Sequence, residues 1–144
     1  MKTLIHEIQF GRIALFLIYG WFGMLKALEV SPASPLVITL LHEVAPWMNI
    51  PLFLILFAFF EIVIGTTFLV IGARTWVVRL FLAHMVMTIA PLFLLPEETW
   101  SGFLVPTIMG QYCIKNIALV ALVRFLHVAE RARDSVKAVA KNAS

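Results

Sequence analysis

Apolar positions run along this chain in four blocks, separated by short polar or proline-rich stretches. The second block, Pro51 to Ala73, reads PLFLILFAFFEIVIGTTFLVIGA, 23 residues with one ionisable side chain, Glu61. At ~1.5 Å of rise per residue such a helix crosses a hydrocarbon core of about 30 Å. Glu61 has ten residues of the block before it and twelve after, which predicts a carboxylate near mid-membrane. A charge there costs roughly 2.5–3.5 kcal/mol on insertion scales, so it needs a cation, a proton or water.

The other blocks predict spans at about 11–27, 76–95 and 104–125. The first is strictly apolar only from Ile13 to Leu25, and its flanking Arg12 and Lys26 are expected to snorkel outward and lengthen it. It has no convincing small-residue cleavage site and is expected to stay. The third carries Arg79, His84 and Pro91, the last predicting a kink. The fourth holds Gln111, Tyr112, Cys113, Lys115 and Asn116.

Between spans one and two, Pro32, Pro35 and Pro46 rule out a crossing. Leu36, Val37, Leu40, Leu41 and Val44 recur there at helical spacing, which predicts a surface-lying or lid-like amphipathic segment with Trp47 near the headgroups. Residues 96–103 read as an acidic loop and residues 1–12 as a mixed-charge entry that can form an interfacial turn of helix. Residues 127–144 read as a basic tail that anchors on the membrane surface, with its start expected to continue the fourth helix and its end to fray. The expected fold is an all-α four-transmembrane-helix bundle over residues 1–126, with that tail beyond it.

Composition agrees with the pattern. The chain has 144 residues, 62% hydrophobic and 13% charged, and a soluble domain with so few charges would aggregate. The net charge of +3 does not point to nucleic acid, because the basic residues flank the apolar blocks. With the N-terminus inside, the inner side collects Lys2, Arg12, Arg74, Arg79, Arg124, Arg131, Arg133, Lys137 and Lys141. The outer side keeps only Lys26, beside Glu29, Glu43, Glu97 and Glu98. Both termini are therefore expected to be cytoplasmic. Lys26 and Glu29, three residues apart, read as a surface pair. The single cysteine, Cys113, excludes an internal disulfide or a CxxC pair.

Depth then groups the polar residues. Lys115 lies eleven residues after Leu104, and His84 eleven before Leu95, close to the level of Glu61. Tyr19 is midway along the first span. The expected layer is Tyr19, Glu61, His84 and Lys115, with Gln111 and Tyr112 one turn outward. Glu61 and Lys115 are expected to pair directly or through one bridging group, each lowering the other's cost. The pair is read either as a packing register or as a proton-responsive or ligand-binding site. No metal site is expected, since the layer offers only two ligand types without ligand spacing. The aromatic residues and methionines read as packing or lipid contact.

Three stretches together, GWFGMLKALEV at 20–30, FFEIVIG at 59–65 and GQYCIKNIALV at 110–120, resemble the DoxX-like family of small four-span membrane proteins. The residues that carry the likeness are Gly23 and Lys26, Glu61 and Gly65, and Gly110, Gln111, Lys115 and Asn116. The resemblance implies a bacterial inner-membrane bundle and an association with redox or oxidative-stress partners. Three functional expectations follow. The first is a redox- or stress-associated subunit that takes a quinone or similar apolar ligand at the Glu/His/Lys layer, alongside a redox protein partner or a second copy. The second is a non-catalytic assembly protein. The third, weakened by the absence of evident inverted repeats, is a small-solute or proton transporter. No catalytic residue is assignable from the sequence.

Overall fold

A computed structural model describes residues 2–142, with side chains described from residue 3. The helices are α1 (Lys2–Ala27), α2 (Ser34–Val44), α3 (Ile50–Val70), α4 (Thr75–Ile89), α5 (Pro91–Leu94), α6 (Pro96–Thr99) and α7 (Ile108–Asn142), with a small hairpin of β1 (Trp100–Gly102) and β2 (Val105–Pro106) between α6 and α7. Four stretches are long and apolar enough to cross a membrane: Thr3–Ala27, Ile50–Val70, Thr75–Leu94 and Ile108–Asn142.

The ends of these helices have local causes. Glu29 adopts a left-handed φ of 59°, while its N–H reaches Lys26 O and the Val30 N–H reaches Leu25 O. This is a Schellman closure made without glycine, and it stops α1 at Ala27, one residue after Lys26. Asn49 caps α3 by accepting from the Leu52 N–H at 3.0 Å, with Pro51 in the first turn. Gly72, at φ +90°, turns the chain from α3 into α4. Pro91 separates α4 from α5, as the sequence predicts.

The start of the tail continues α7, as the sequence predicts, and the entry segment is a full continuation of α1 rather than a separate turn, so both helices run beyond the apolar blocks at the same end. The acidic loop departs from expectation. Residues 96–103 are a helical turn followed by a hairpin strand, because Trp100 pairs with Pro106 and Gly102 with Val105 across a turn in which Leu104 has φ 57°. The fourth span therefore begins at Ile108, four residues later than the periodicity predicts. Residues 143 and 144, the end of the expected fraying tail, lie outside the described residues.

The core is one cluster shared by all four long helices: Ile8, Leu15 and Tyr19 from α1, Ile64 and Phe68 from α3, Val77, Phe81 and Met85 from α4, and Val123 and Leu126 from α7. α2 packs on α3 and α5 and buries Leu41, while Trp47 stays 81% exposed. The closest helix pair is α1 with α3. A side chain on Gly23 would meet Ile62 Cγ1 at 2.7 Å and Ala58 O at 2.8 Å, and one on Gly65 would meet Tyr19 Cβ at 2.9 Å. Small residues of this kind let apolar helices approach closely enough for dense van der Waals contact.

The expected outcome for Gly23→Val is a loss of about 1–3 kcal/mol, because two of the atoms it meets, the Ala58 carbonyl oxygen and the Ile62 nitrogen, are main-chain atoms that cannot swing aside. Gly20→Ala serves as control, since a side chain there meets nothing nearer than 3.8 Å and its melting temperature in detergent stays within a few degrees of wild type.

Candidate functional site

The Schellman turn leaves Lys26 in the last turn of α1, and the backward tilt of helical side chains directs its stem into the bundle. The glycine contact brings α3 beside it. Lys26 Nζ donates to both carboxylate oxygens of Glu61, at 2.9 and 2.7 Å. The Phe57 ring lies 5.4 Å from the same ammonium. Lys26, Glu61 and His84 are all buried.

The third partner comes from α4. His84 Nε2 sits 3.1 Å from Glu61 Oε1, and His84 Nδ1 sits 3.4 Å from the Tyr19 hydroxyl. A carboxylate only accepts, so a neutral His84 donates from Nε2, and its Nδ1 then accepts from Tyr19. The result is one directed chain: Tyr19 to His84, His84 to Glu61, with Lys26 donating from the other side. Three rings box in the imidazole: Phe57 stacked at 5.1 Å, Tyr19 edge-on at 5.3 Å and Phe60 tilted at 6.0 Å. Among the described residues, every buried side-chain nitrogen and oxygen has a partner.

The expected layer is thus partly assembled and partly replaced. Tyr19, Glu61 and His84 meet as their depths suggest. Lys115 does not join them: it is exposed on α7, with Nζ 5.3 Å from the Tyr112 ring. Gly110 and Cys113 mark the inward face of α7, and Lys115 lies ~160° around the helix from Cys113. Gln111 and Tyr112 are exposed on the same outward side, and Asn116 is half-buried. The Glu61–Lys115 pair is therefore corrected to Glu61–Lys26. So are the expected Lys26–Glu29 surface pair and the outward snorkelling of Lys26. The missed signal is spacing: Lys26 follows Gly23 by three residues and so shares the glycine's contact face.

Gly65 and Gly110, singled out by the family resemblance, act in packing. Gly65 takes the α1 backbone, and Gly110 leaves room for the Thr99 carbonyl, which accepts from the Thr107 N–H at 3.0 Å.

A second polar joint lies at the end of the bundle that carries both termini. Arg12 Nε donates to Glu130 Oε1 at 2.8 Å and Arg12 Nη2 to Ile71 O at 3.3 Å. Glu130 Oε2 accepts from the Ala73 N–H at 2.9 Å, and His127 Nδ1 donates to Ala73 O at 2.6 Å. The joint ties α1, the Gly72 turn and α7 together. Arg12, expected to snorkel, is instead spent here, and the start of the expected surface tail is structural. Glycine is required at position 72, since a side chain would occupy the space of the Arg12 guanidinium.

Two cavities among the described residues lie near these groups. One, about 540 Å³ and apolar, lies between α4, α5 and α7 and is lined by Met85, Val86, Ile89, Phe93 and Val120. Met85 belongs both to this groove and to the core, one residue from His84. The other, about 450 Å³, is polar and opens beside the Glu130 joint. Among the described residues, no three His, Cys, Asp or Glu side chains gather as a metal site.

Removing one partner of a buried ion pair leaves the other charge uncompensated, at a cost of about 3–5 kcal/mol. Lys26→Met is therefore expected to lower the melting temperature sharply, and Lys26→Met with Glu61→Met to recover most of that loss. Lys115→Met is expected to change stability by less than about 0.5 kcal/mol, as surface substitutions usually do. Thermal unfolding in one detergent compares all three.

No protein-family model, curated protein or solved structure matches this chain.

Proposed function

We propose that this chain is a multi-pass protein of a bacterial inner membrane, with both termini cytoplasmic, and that it works as a DoxX-like redox- or stress-associated subunit. In this reading it takes a quinone or similar apolar ligand near its buried polar chain. The exterior supports the membrane setting: only 28%, 33%, 33% and 22% of the four apolar windows is buried, and the rest presents side chains such as Phe59, Val86, Phe93 and Ile117 outward. That surface suits lipid and would aggregate in water. The excess of Lys and Arg at the end carrying the termini supports the orientation.

The observation that carries the functional reading is the directed chain Tyr19–His84–Glu61–Lys26 in the middle of an apolar bundle. Such groups are expensive there and default candidates for function. The adjoining apolar groove, at about 540 Å³, lies in the size range of small-molecule pockets. A ligand oxygen would take the His84 Nε2–H in place of Glu61 Oε1, Tyr19 would keep donating to Nδ1 and so fix that tautomer, and Lys26 would hold the carboxylate of Glu61 in place. A quinone brings the electron-accepting chemistry; these residues only position it and hold protons. The groove itself is apolar and His84 is closed off from it, so a ligand's ring and tail fit the groove as it stands, whereas its polar head reaches His84 only after a side-chain movement.

The test is mass spectrometry of small molecules copurifying in mild detergent. A quinone-like molecule is expected with wild type and is expected to be lost from Glu61→Gln, with added quinone raising the melting temperature of wild type alone. No such molecule and no shift would remove the reading.

One observation favours a second reading, a non-catalytic assembly protein: the buried chain is fully satisfied, as a purely structural register would be. This reading expects Lys26→Met with Glu61→Met to keep a copurifying protein partner. A well-folded double variant that loses its partner counts against it.

A further inference from the structure

The polar cleft beside the Glu130 joint has a charge balance that its structural role leaves unused. It is about 450 Å³ and is lined by Arg74 and Thr75 at the start of α4 and by His127, Glu130, Arg131, Asp134 and Ser135 of α7. Both carboxylates in that lining are already matched by arginines: Glu130 by Arg12 at 2.8 Å, and Asp134 by Arg133 at 2.9 Å. Arg74 and Arg131 are different. Among the described residues, neither side chain has a hydrogen-bond or ion-pair partner, and both border the same cavity.

Two uncompensated arginines lining one polar cleft supply the donors of an anion receptor, because planar, multiply donating guanidinium groups match tetrahedral oxyanions. Thr75 lines the same cleft, and the first-turn N–H groups of α4 add partial positive charge.

Position narrows the anion. The cleft lies where α3 gives way to the Gly72 turn, at the edge of the apolar stretch. The half-exposed Trp76 stands next to it, as aromatic residues do at headgroup level. We infer that this cleft binds a phosphate group, carried by an anionic phospholipid headgroup or by a free phosphate, with Arg74 and Arg131 as its ligands. The inference rests on the membrane-spanning reading and not on the buried Glu61 chain, so either can fail without the other.

The experiment is native mass spectrometry of the full chain released from nanodiscs of equal phosphatidylglycerol and phosphatidylcholine. A second arm records melting temperature in detergent with inorganic phosphate against chloride at equal ionic strength. Wild type is expected to retain phosphatidylglycerol selectively, and Arg74→Gln with Arg131→Gln to cut that retention at least threefold. Arg79→Gln with Arg124→Gln removes the same charge from exposed positions outside the cleft and is expected to retain lipid as wild type does. A phosphate-dependent rise in melting temperature, lost in the cleft variant and unaccompanied by selective lipid retention, identifies free phosphate as the ligand. If the paired cleft variant does not fold, Arg131→Gln alone reads the same loss. Equal retention in all variants, or equal loss in both pairs, together with no phosphate-dependent shift, overturns the inference.

Discussion

Everything polar in this bundle depends on how closely α1 approaches α3. The approach is possible because Gly23 faces Ala58 and Ile62, and Gly65 faces Phe16, Tyr19 and Gly20. Glu61 lies within the first of these contacts, between Ala58 and Ile62. Bringing the helices this near lets Lys26 close on the carboxylate with both oxygens satisfied. With larger residues at either glycine, the same lysine and glutamate would be two separate charges in an apolar setting, each carrying its full desolvation cost. The packing and the electrostatics are one constraint.

The two polar joints divide the work along the bundle. The Glu61 chain lies in the middle and joins α1, α3 and α4. The Glu130 joint lies at the end carrying the termini and joins α1, the turn after α3, and α7. Its partners include backbone groups of the Gly72 turn, which would otherwise lack partners at a helix end. Apolar contact alone is a weak guide to which helix neighbours which when the surroundings are equally apolar. Charged and hydrogen-bonding contacts at two levels supply the missing specificity. The cleft beside the lower joint is a by-product of that geometry: Arg12 and Arg133 neutralise its carboxylates and leave Arg74 and Arg131 to face an external anion.

The fold was legible in the sequence to the extent that hydrophobic length and punctuation decide it. The four apolar blocks, the prolines of residues 28–50 and the kink at Pro91 correspond to elements of the structure. The site was legible in half. Glu61, His84 and Tyr19 could be placed at one level because depth follows from counting residues along a helix. The cation could not, because two lysines were available and counting does not report which side of a helix faces inward. The hairpin at Trp100–Pro106 was also hidden, since five strand residues carry too little alternation to read.

What the sequence determined by itself was the number of long helices and the placement of their apolar stretches, though not how far α1 and α7 run beyond them, because hydrophobic periodicity and rise per residue are properties of each segment alone. What only the tertiary structure decided was rotation about those axes. Rotation turns Lys115 away, beside Tyr112, and points Lys26 inward to Glu61. It depends on which small residues meet across an interface and on the angle at which each helix is stopped, and both are settled only when the helices pack.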